Sequence, residues 1–369
     1  MAMPAVSRGR GPVLGRAWHR ALAWTLGFVF ILQGLSGSLL VVAPTLDEWL
    51  NPAIAAAAGS EEALLRAADR LERERPDGIG MGVQREGGDG KLLIAFWPTP
   101  DPHVPGERLY WLARLHPDSG ESLVERPYGA WPQGRLELFA FVHAIHTNLT
   151  LGAIGKFFQI GAAVLLLLLL WSGVRTWLAR RRALRGKPAD RIRDTRSGRL
   201  HRGLGLGAAA ILALLLASGI ALQFETVLDR SFALRSEDAG ERRLSLRQAW
   251  QAAKAHYPDS RTRLVMAPFV PGGAFRVDLI PTTGPRAGET QELFLDARSG
   301  QLLAVRNDGS RRGADGLVAL LEPIHGGSLL GAVGELLAFL AGLVPAAMLL
   351  SGYLNRRAWG AGAPGLRRR

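Results

Sequence analysis

Four apolar runs, each long enough to cross a bilayer as a helix, divide this chain and restrict what it can become. They are "ALAWTLGFVFILQGLSGSLLVV" at 21 to 42, the stretch from about 154 to 174 containing "IGAAVLLLLLLWSGV", "GLGLGAAAILALLLASGIALQF" at 203 to 224, and the stretch from about 329 to 353 containing "LLAFLAGLVPAAMLLSGY". Crossing the hydrocarbon core takes about 20 residues of helix. Lipid offers the backbone no hydrogen bonds, so such runs satisfy their own as helices. The first run follows a basic stretch, as a secretory signal would. It exceeds the roughly 7–15 apolar residues of a signal, and no clean A-x-A site follows it. It reads as a retained span.

Charge orients the spans. Lys and Arg number 45 against 32 Asp and Glu, a formal net charge of +13. In a soluble chain that balance would suggest nucleic acid. Here the cations concentrate beside the apolar runs, so no nucleic-acid partner is expected. Arg8, Arg10, Arg16 and Arg20 precede the first run, the loop 175 to 202 is densely basic, and the chain ends in "GLRRR". Such flanks stay in the cytoplasm. The expected order is a cytoplasmic tail (1–20), spans at 21–43, 146–178, 201–224 and 325–354, a basic cytoplasmic loop (179–200), outer segments 44–145 and 225–324, and a cytoplasmic tail (355–369). The basic loop reads first as this topology signal; docking of an acidic cytoplasmic electron donor is the sharper reading. Cysteine is absent, which excludes disulfides, thiolate metal sites and CxxCH haem attachment.

The chain is duplicated. "WHRALAWTLG…LSG" matches "LHRGLGLGAA…ASG" at an offset of 182, which carries His19 to His201, Ser36 to Ser218 and Gly37 to Gly219. Spans two and four match at an offset of 179, which carries His146 to His325, Ser172 to Ser351 and Gly173 to Gly352. The outer segments repeat as well. "SEEALLRAADRLERERPD" and "LSLRQAWQAAKAHYPDS" have helical apolar spacing, and strand-like "KLLIAFW" and "AFRVDLI" follow them. Each segment closes with a hairpin whose turn ends in Ser-Gly, at Ser119-Gly120 and Ser299-Gly300. Glycine supplies the positive φ such turns need. The fold class is an α-helical membrane protein with four transmembrane helices in a tandem repeat and two small α+β outer domains.

With "HRALAWTLG" and "HRGLGLGAA" opening spans one and three, "PIHGGSLLGAVG" opening span four, and the two Ser-Gly hairpins, the chain resembles the PepSY-associated transmembrane family over nearly its whole length. The resemblance implies that the outer domains are PepSY-like and periplasmic, in a bacterial inner membrane. It also implies a link to iron uptake, since some members are similar to inner-membrane di-haem ferric-siderophore reductases of the ferrioxamine reductase type. On that reading the chain is an oxidoreductase with two b-type haems and a ferric siderophore as substrate. No nucleotide-binding GxGxxG follows a strand and opens a helix, so its electron donor is a separate cytoplasmic protein, quinol or reduced cofactor. Its other partner is membrane lipid.

Five of the eight histidines sit at span ends. His19 and His201 are equivalent at the cytoplasmic ends of spans one and three. His146 and His325 are equivalent at the outer ends of spans two and four. One pair at each face is what two haems need if each takes two axial imidazoles, a ligation that suits electron transfer. His143, one helical turn from His146, is an alternative outer ligand, a hydrogen-bond donor to the ligand, or a substrate contact. Zinc competes on the outer face, where His143, His146 and His325 make three ligands; the inner face offers only two. Lys156 and Glu335 occupy equivalent positions; three readings stand open, a pair across spans two and four, Lys156 on a haem propionate, and an interfacial, partly wet place about three turns beyond the histidines, since charges at greater depth usually pair or serve function. Gln33 and Gln159 are the other polar groups in the spans. His103, His116 and His256 read as surface residues, and Trp97, Trp111 and Trp131 as substrate contacts or, equally, as core or interface aromatics. The rival readings are a non-catalytic membrane protein whose outer domains bind or regulate a partner such as a peptidase, and a transporter, for which Pro345 alone speaks.

Overall fold

The computed structural model describes residues 16–76, 78–86, 92–100, 108–186, 195–224, 244–307, 309–310 and 313–361. Four of its helices are long and apolar enough to cross a membrane: α1 (Arg16–Val41), α6 (Gly152–Leu184), α7 (Arg196–Leu222) and α10 (Gly331–Ala361). The protein is membrane-embedded. Large apolar side chains such as Phe28, Ile154, Phe157 and Leu350 point outward from the bundle, as a lipid-facing surface requires.

The spans do not begin where the apolar pattern begins. Span two was expected from residue 146, but a separate helix α5 (Leu138–Asn148) ends first, and α6 starts only at Gly152. The break passes through Leu149 and Thr150, both at positive φ, and the Asn148 side chain accepts a hydrogen bond from the Thr150 backbone N–H at 2.9 Å. Asparagine forms such local turns readily. Before the fourth span, a helix (Ala314–Gly326) ends at Gly327, φ 87°, ahead of a short turn and α10. The outer histidines therefore ride on short helices at the sheet-side end of the bundle.

The remaining elements are α2 (Ala43–Leu50), α3 (Pro52–Ala55), α4 (Glu61–Glu74), β1 (Gly82–Glu86), β2 (Leu92–Pro100), β3 (Arg108–Leu115) and β4 (Ser122–Pro127) in the first half. In the second half they are α8 (Leu246–Lys254), β5 (Ser260–Met266), β6 (Phe275–Pro281), β7 (Gln291–Leu295), β8 (Leu302–Arg306) and α9, the Ala314–Gly326 helix. All eight strands form one sheet in the order β4-β3-β2-β1-β5-β6-β7-β8. The two outer domains expected from the repeat are thus fused: β1 pairs antiparallel with β5, Val83 opposite Val265, so a pseudo-two-fold relates the halves.

Helices α4 and α8 cover one face of this sheet. Ser60 caps α4 by accepting from the Ala63 N–H, and Ser245 with Gln248 forms a capping box on α8; such caps contribute about 1 kcal/mol each. Their buried faces (Ala63, Leu64, Ala68, Leu71; Leu246, Ala249, Ala253) share one core with Met81, Val83, Leu93, Val265, Phe275 and Leu293. Across the pseudo-axis the Glu72 carboxylate accepts the Leu246 N–H at 2.8 Å, and Arg247 pairs with Asp69 at 2.6 Å. The two Ser-Gly hairpins close identically, with Gly120 N–H donating to the His116 carbonyl and Gly300 N–H to that of Asp296, both glycines at φ 74°. Trp97 is buried and stacks on Trp111, whereas Trp131 is exposed beside Phe141.

Candidate functional site: a histidine pair at each end of the bundle

His19 lies on the first turn of α1 and His201 near the start of α7, and their ring centroids are 6.3 Å apart. His146 on α5 and His325 on α9 meet at the sheet-side end, centroids 5.9 Å apart. His146 contacts Ser36, seventeen residues along α1 from His19. At 1.5 Å per residue the two pairs are about 25 Å apart along the bundle, most of a hydrocarbon core of about 30 Å.

Each of the four histidines is held alike. His19 Nδ1 lies 2.8 Å from Ser172 Oγ, and His146 Nδ1 is 3.1 Å from Ser36 Oγ. For His201 the partner is Ser351 Oγ at 3.1 Å, and for His325 it is Ser218 Oγ at 3.2 Å. Every one of these serines donates its own hydroxyl proton back to its helix: Ser36 to Leu32, Ser172 to Leu169, Ser218 to Leu214, Ser351 to Met348. The serine oxygen is then the acceptor and the histidine Nδ1–H the donor. Backbone carbonyls, which only accept, stand at the same nitrogen: Gln33 at 3.2 Å from His146, Met348 at 3.1 Å from His201 and Leu215 at 2.9 Å from His325. The neutral ring therefore carries its proton on Nδ1 and leaves the Nε2 lone pair free. This is the orientation and tautomer that a metal-ligating imidazole takes when its other nitrogen is anchored.

The residue after each serine is glycine. A Cβ on Gly37 would lie 2.9 Å from His146 Cε1, and one on Gly219 would lie 2.8 Å from His325 Cε1. Small residues there let the rings seat against the helix backbone. The repeat already aligned these Ser-Gly pairs; what the linear pattern lacked was their pairing with the histidine of the neighbouring helix. Burial, then the neighbouring His325 and His143, pushes the His146 imidazole down to about 3, and burial also lowers His325.

Three glutamines fix α5. Gln33 on α1 donates to the Ile145 carbonyl at 3.4 Å, Gln159 on α6 to those of Ile145 and His146 at 3.2 and 3.3 Å, and Gln223 to that of Thr147 at 2.9 Å. The His146 and Thr147 carbonyls lie in the last turn, where a helix end leaves acceptors unpaired, while that of Ile145 also accepts the Leu149 N–H. Gln33 and Gln159 are thus clamps on the histidine helix.

His143 is arranged differently: its Nδ1 bonds Tyr128 Oη at 2.5 Å. Burial pushes the Tyr128 phenol up to about 12, so it stays protonated. Among the described residues no ion pair joins Lys156 to Glu335. Lys156 Nζ lies 6.0 Å from the Phe224 ring centre and Glu335 is exposed, because the two helices do not bring these positions together. His116 belongs to the β3–β4 turn, where its Nδ1 accepts from the Asp118 N–H, and His256 is exposed. His103 lies outside the described residues.

Two opposed imidazoles bound to one metal at about 2.0 Å each stand with centroids about 6 Å apart. The separations of 6.3 and 5.9 Å match that spacing, so the residues fit a bis-imidazole group such as haem at each end. Among the described residues no three His, Asp or Glu side chains gather as a free metal-ion site. The fold and these pairs define a four-span membrane protein with duplicated halves and a histidine pair at either end. The family model for the PepSY-associated TM region matches residues 16–356, and the chain belongs to that family. No curated protein matches it.

Proposed function

We propose that the protein is an inner-membrane reductase that takes electrons from the cytoplasmic side and reduces a ferric siderophore on the periplasmic side. His19 and His201 would hold one b-type haem and His146 and His325 the other. Bis-histidine haem supplies one-electron exchange with no open coordination position. The chain's own residues do the rest. The four serines hold each Nδ1–H and aim each Nε2, the glutamines keep His146 in register, and the short helices place the outer pair against the sheet. The basic tail and the 175–202 loop, on the positive-inside rule, put the inner pair at the cytoplasm, where a soluble donor or quinol would reach it. Reduction takes one electron into Fe(III), and the Fe(II) formed binds hard oxygen ligands more weakly, which releases the metal for uptake.

One observation carries this reading: all four repeat-related histidines share one tautomer and one kind of anchor, and they meet as two pairs at nearly equal separation. A surface anchor has no need of that. The test is reduction across a membrane. Proteoliposomes enclosing dithionite, with a ferric hydroxamate and an Fe(II) indicator outside, should develop indicator colour. His201→Ala and His325→Ala should each lower the rate to that of empty vesicles. Equal rates with and without the protein would leave a non-catalytic partner-binding role.

A further inference from the structure

The short helices α5 and α9 meet the bundle below the sheet-side ends of its spans. On α7, which ends at Leu222, the His325 ring bonds the Leu215 carbonyl and the Ser218 hydroxyl. At 1.5 Å per residue these partners lie about 10 and 6 Å below that end. On α1, which ends at Val41, Gln33 reaches the Ile145 carbonyl and Ser36 the His146 ring, about 12 and 8 Å below the end. Both spans stay apolar to their last turn, with Leu39, Leu40 and Val41 on one and Ile220, Ala221 and Leu222 on the other. The histidine-bearing ends of α5 and α9 are therefore sunk beside apolar turns of spanning helices.

One face of α9 is apolar and turned outward. Leu317, Leu320, Leu321 and Ile324 follow the i, i+3, i+4, i+7 spacing of a single helical face, while Asp315 and Glu322 fall on the opposite side. Leu317 is 68% and Leu320 41% exposed. The repeat offset of 179 carries this face onto Leu138, Phe141, Val142 and Ile145 of α5, apolar at every position. There Trp131 packs against Phe141 and is itself 75% exposed. Tryptophan is enriched where headgroups meet acyl chains. Past Gly327, the side chains of Leu329, Leu330 and Val333 are exposed as well, so the α9 face runs on into the lipid-facing wall of α10. An exposed apolar patch of this kind marks a partner or a membrane. Its depth beside α7, its lack of charge and its continuity with that wall select the membrane.

We propose that α9, and α5 with Trp131, are seated in the sheet-side leaflet of the bilayer, with the apolar face of α9 against acyl chains. The outer histidine pair then lies beneath the membrane surface instead of above it. Helices of this type bury their apolar face about 5–10 Å into the boundary between headgroups and acyl chains, which agrees with the depth at which α7 holds His325. A second copy or a soluble partner would have to reach the face beside a span that already stands in lipid.

The chain has no cysteine, so a single introduced thiol can be labelled without ambiguity. Leu317→Cys and Leu320→Cys, each carrying a nitroxide, are reconstituted as the full chain in phosphatidylcholine vesicles, after each elutes from gel filtration as the parent chain does. Val333→Cys on α10 serves as the lipid reference and Arg73→Cys, exposed on α4, as the water reference. Spin relaxation is then measured with oxygen, which concentrates among acyl chains, and with a neutral nickel chelate, which stays in water. The oxygen-to-nickel ratio at 317 and 320 should exceed that at 73 several-fold and approach that at 333. A ratio equal to that at 73 would place the face in water and overturn the inference. Low access to both reagents would overturn it too, and dipolar broadening that vanishes on dilution with unlabelled chain would then identify a second copy as the cover.

Discussion

At the sheet-side end of the bundle a Cβ on Gly37 or Gly219 would stand 2.9 or 2.8 Å from the facing histidine ring, whereas at the opposite end Gly173 and Gly352 leave 3.4 Å. The inner histidines grow directly from spanning helices; the outer ones are carried on short helices that must be fastened separately. Duplication thus preserved the histidine and its serine anchor while the support diverged. The first half fastens its histidine helix with Gln33 and Gln159. The repeat offsets place Leu215 and Ala338 at the matching positions of the second half, where α9 instead ends on Gly327. What is common to both halves is what the proposed chemistry needs, and what differs is how each half packs.

The largest effect expected from this contrast is at the glycines. Contacts under 3.0 Å cannot be absorbed without a shift, so Gly37→Ala and Gly219→Ala should displace the outer ring. The outer haem species should lose most of its absorbance. Gly173→Ala and Gly352→Ala, with ordinary contact distances, should leave the inner species intact. Equal sensitivity at both ends would erase the distinction between tight and loose seats.

Next in size is the glutamine clamp. Gln33→Leu with Gln159→Leu removes three hydrogen bonds from α5, leaving the His146 carbonyl without a partner while that of Ile145 keeps the Leu149 N–H, at about 1 kcal/mol per lost bond. Hydrogen exchange of the α5 amides should accelerate about fivefold for each such bond, while α9 exchange stays unchanged. Faster exchange in both helices would mean that the clamp supports the whole bundle.

A smaller effect is expected from the serines. Ser36→Ala removes one acceptor from His146 Nδ1 but leaves the Gln33 carbonyl, so the ring keeps its tautomer and loses basicity. The outer midpoint potential should rise modestly, Ser36→Thr should restore it, and the inner potential should not move. The smallest effect belongs to the sheet junction. The Arg247–Asp69 pair is about one-third exposed on both sides, and such pairs contribute less than about 1 kcal/mol. Arg247→Ala should lower the thermal midpoint by no more than a few degrees.

Much of this is legible in the amino-acid sequence. Hydropathy located the four spans, and the two repeat offsets aligned the histidines with one another and the Ser-Gly pairs with one another. The fusion of the halves was not, because the strands that join them, "GVQRE" and "SRTRLVM", are short and largely polar and show no apolar run. The break before span two was hidden because α5 and α6 are both apolar; Leu149 and Thr150 adopt positive φ through a local turn that hydropathy does not register. Lys156 and Glu335 were matched by the repeat, yet equivalent positions in a duplication need not face each other. The same symmetry argument succeeded for histidines near the pseudo-axis and failed for charges away from it.

The central claim is that each histidine pair holds its own haem, and counting haem per chain tests it most directly. Protein purified from haem-replete cells in mild detergent, with oxidised and dithionite-reduced spectra recorded, should carry two low-spin b-type haems per chain. His201→Ala and His325→Ala should each retain one, and the two remaining species should differ in spectrum or potential. Wild-type protein without haem, or variants with an unchanged haem content, would contradict the account.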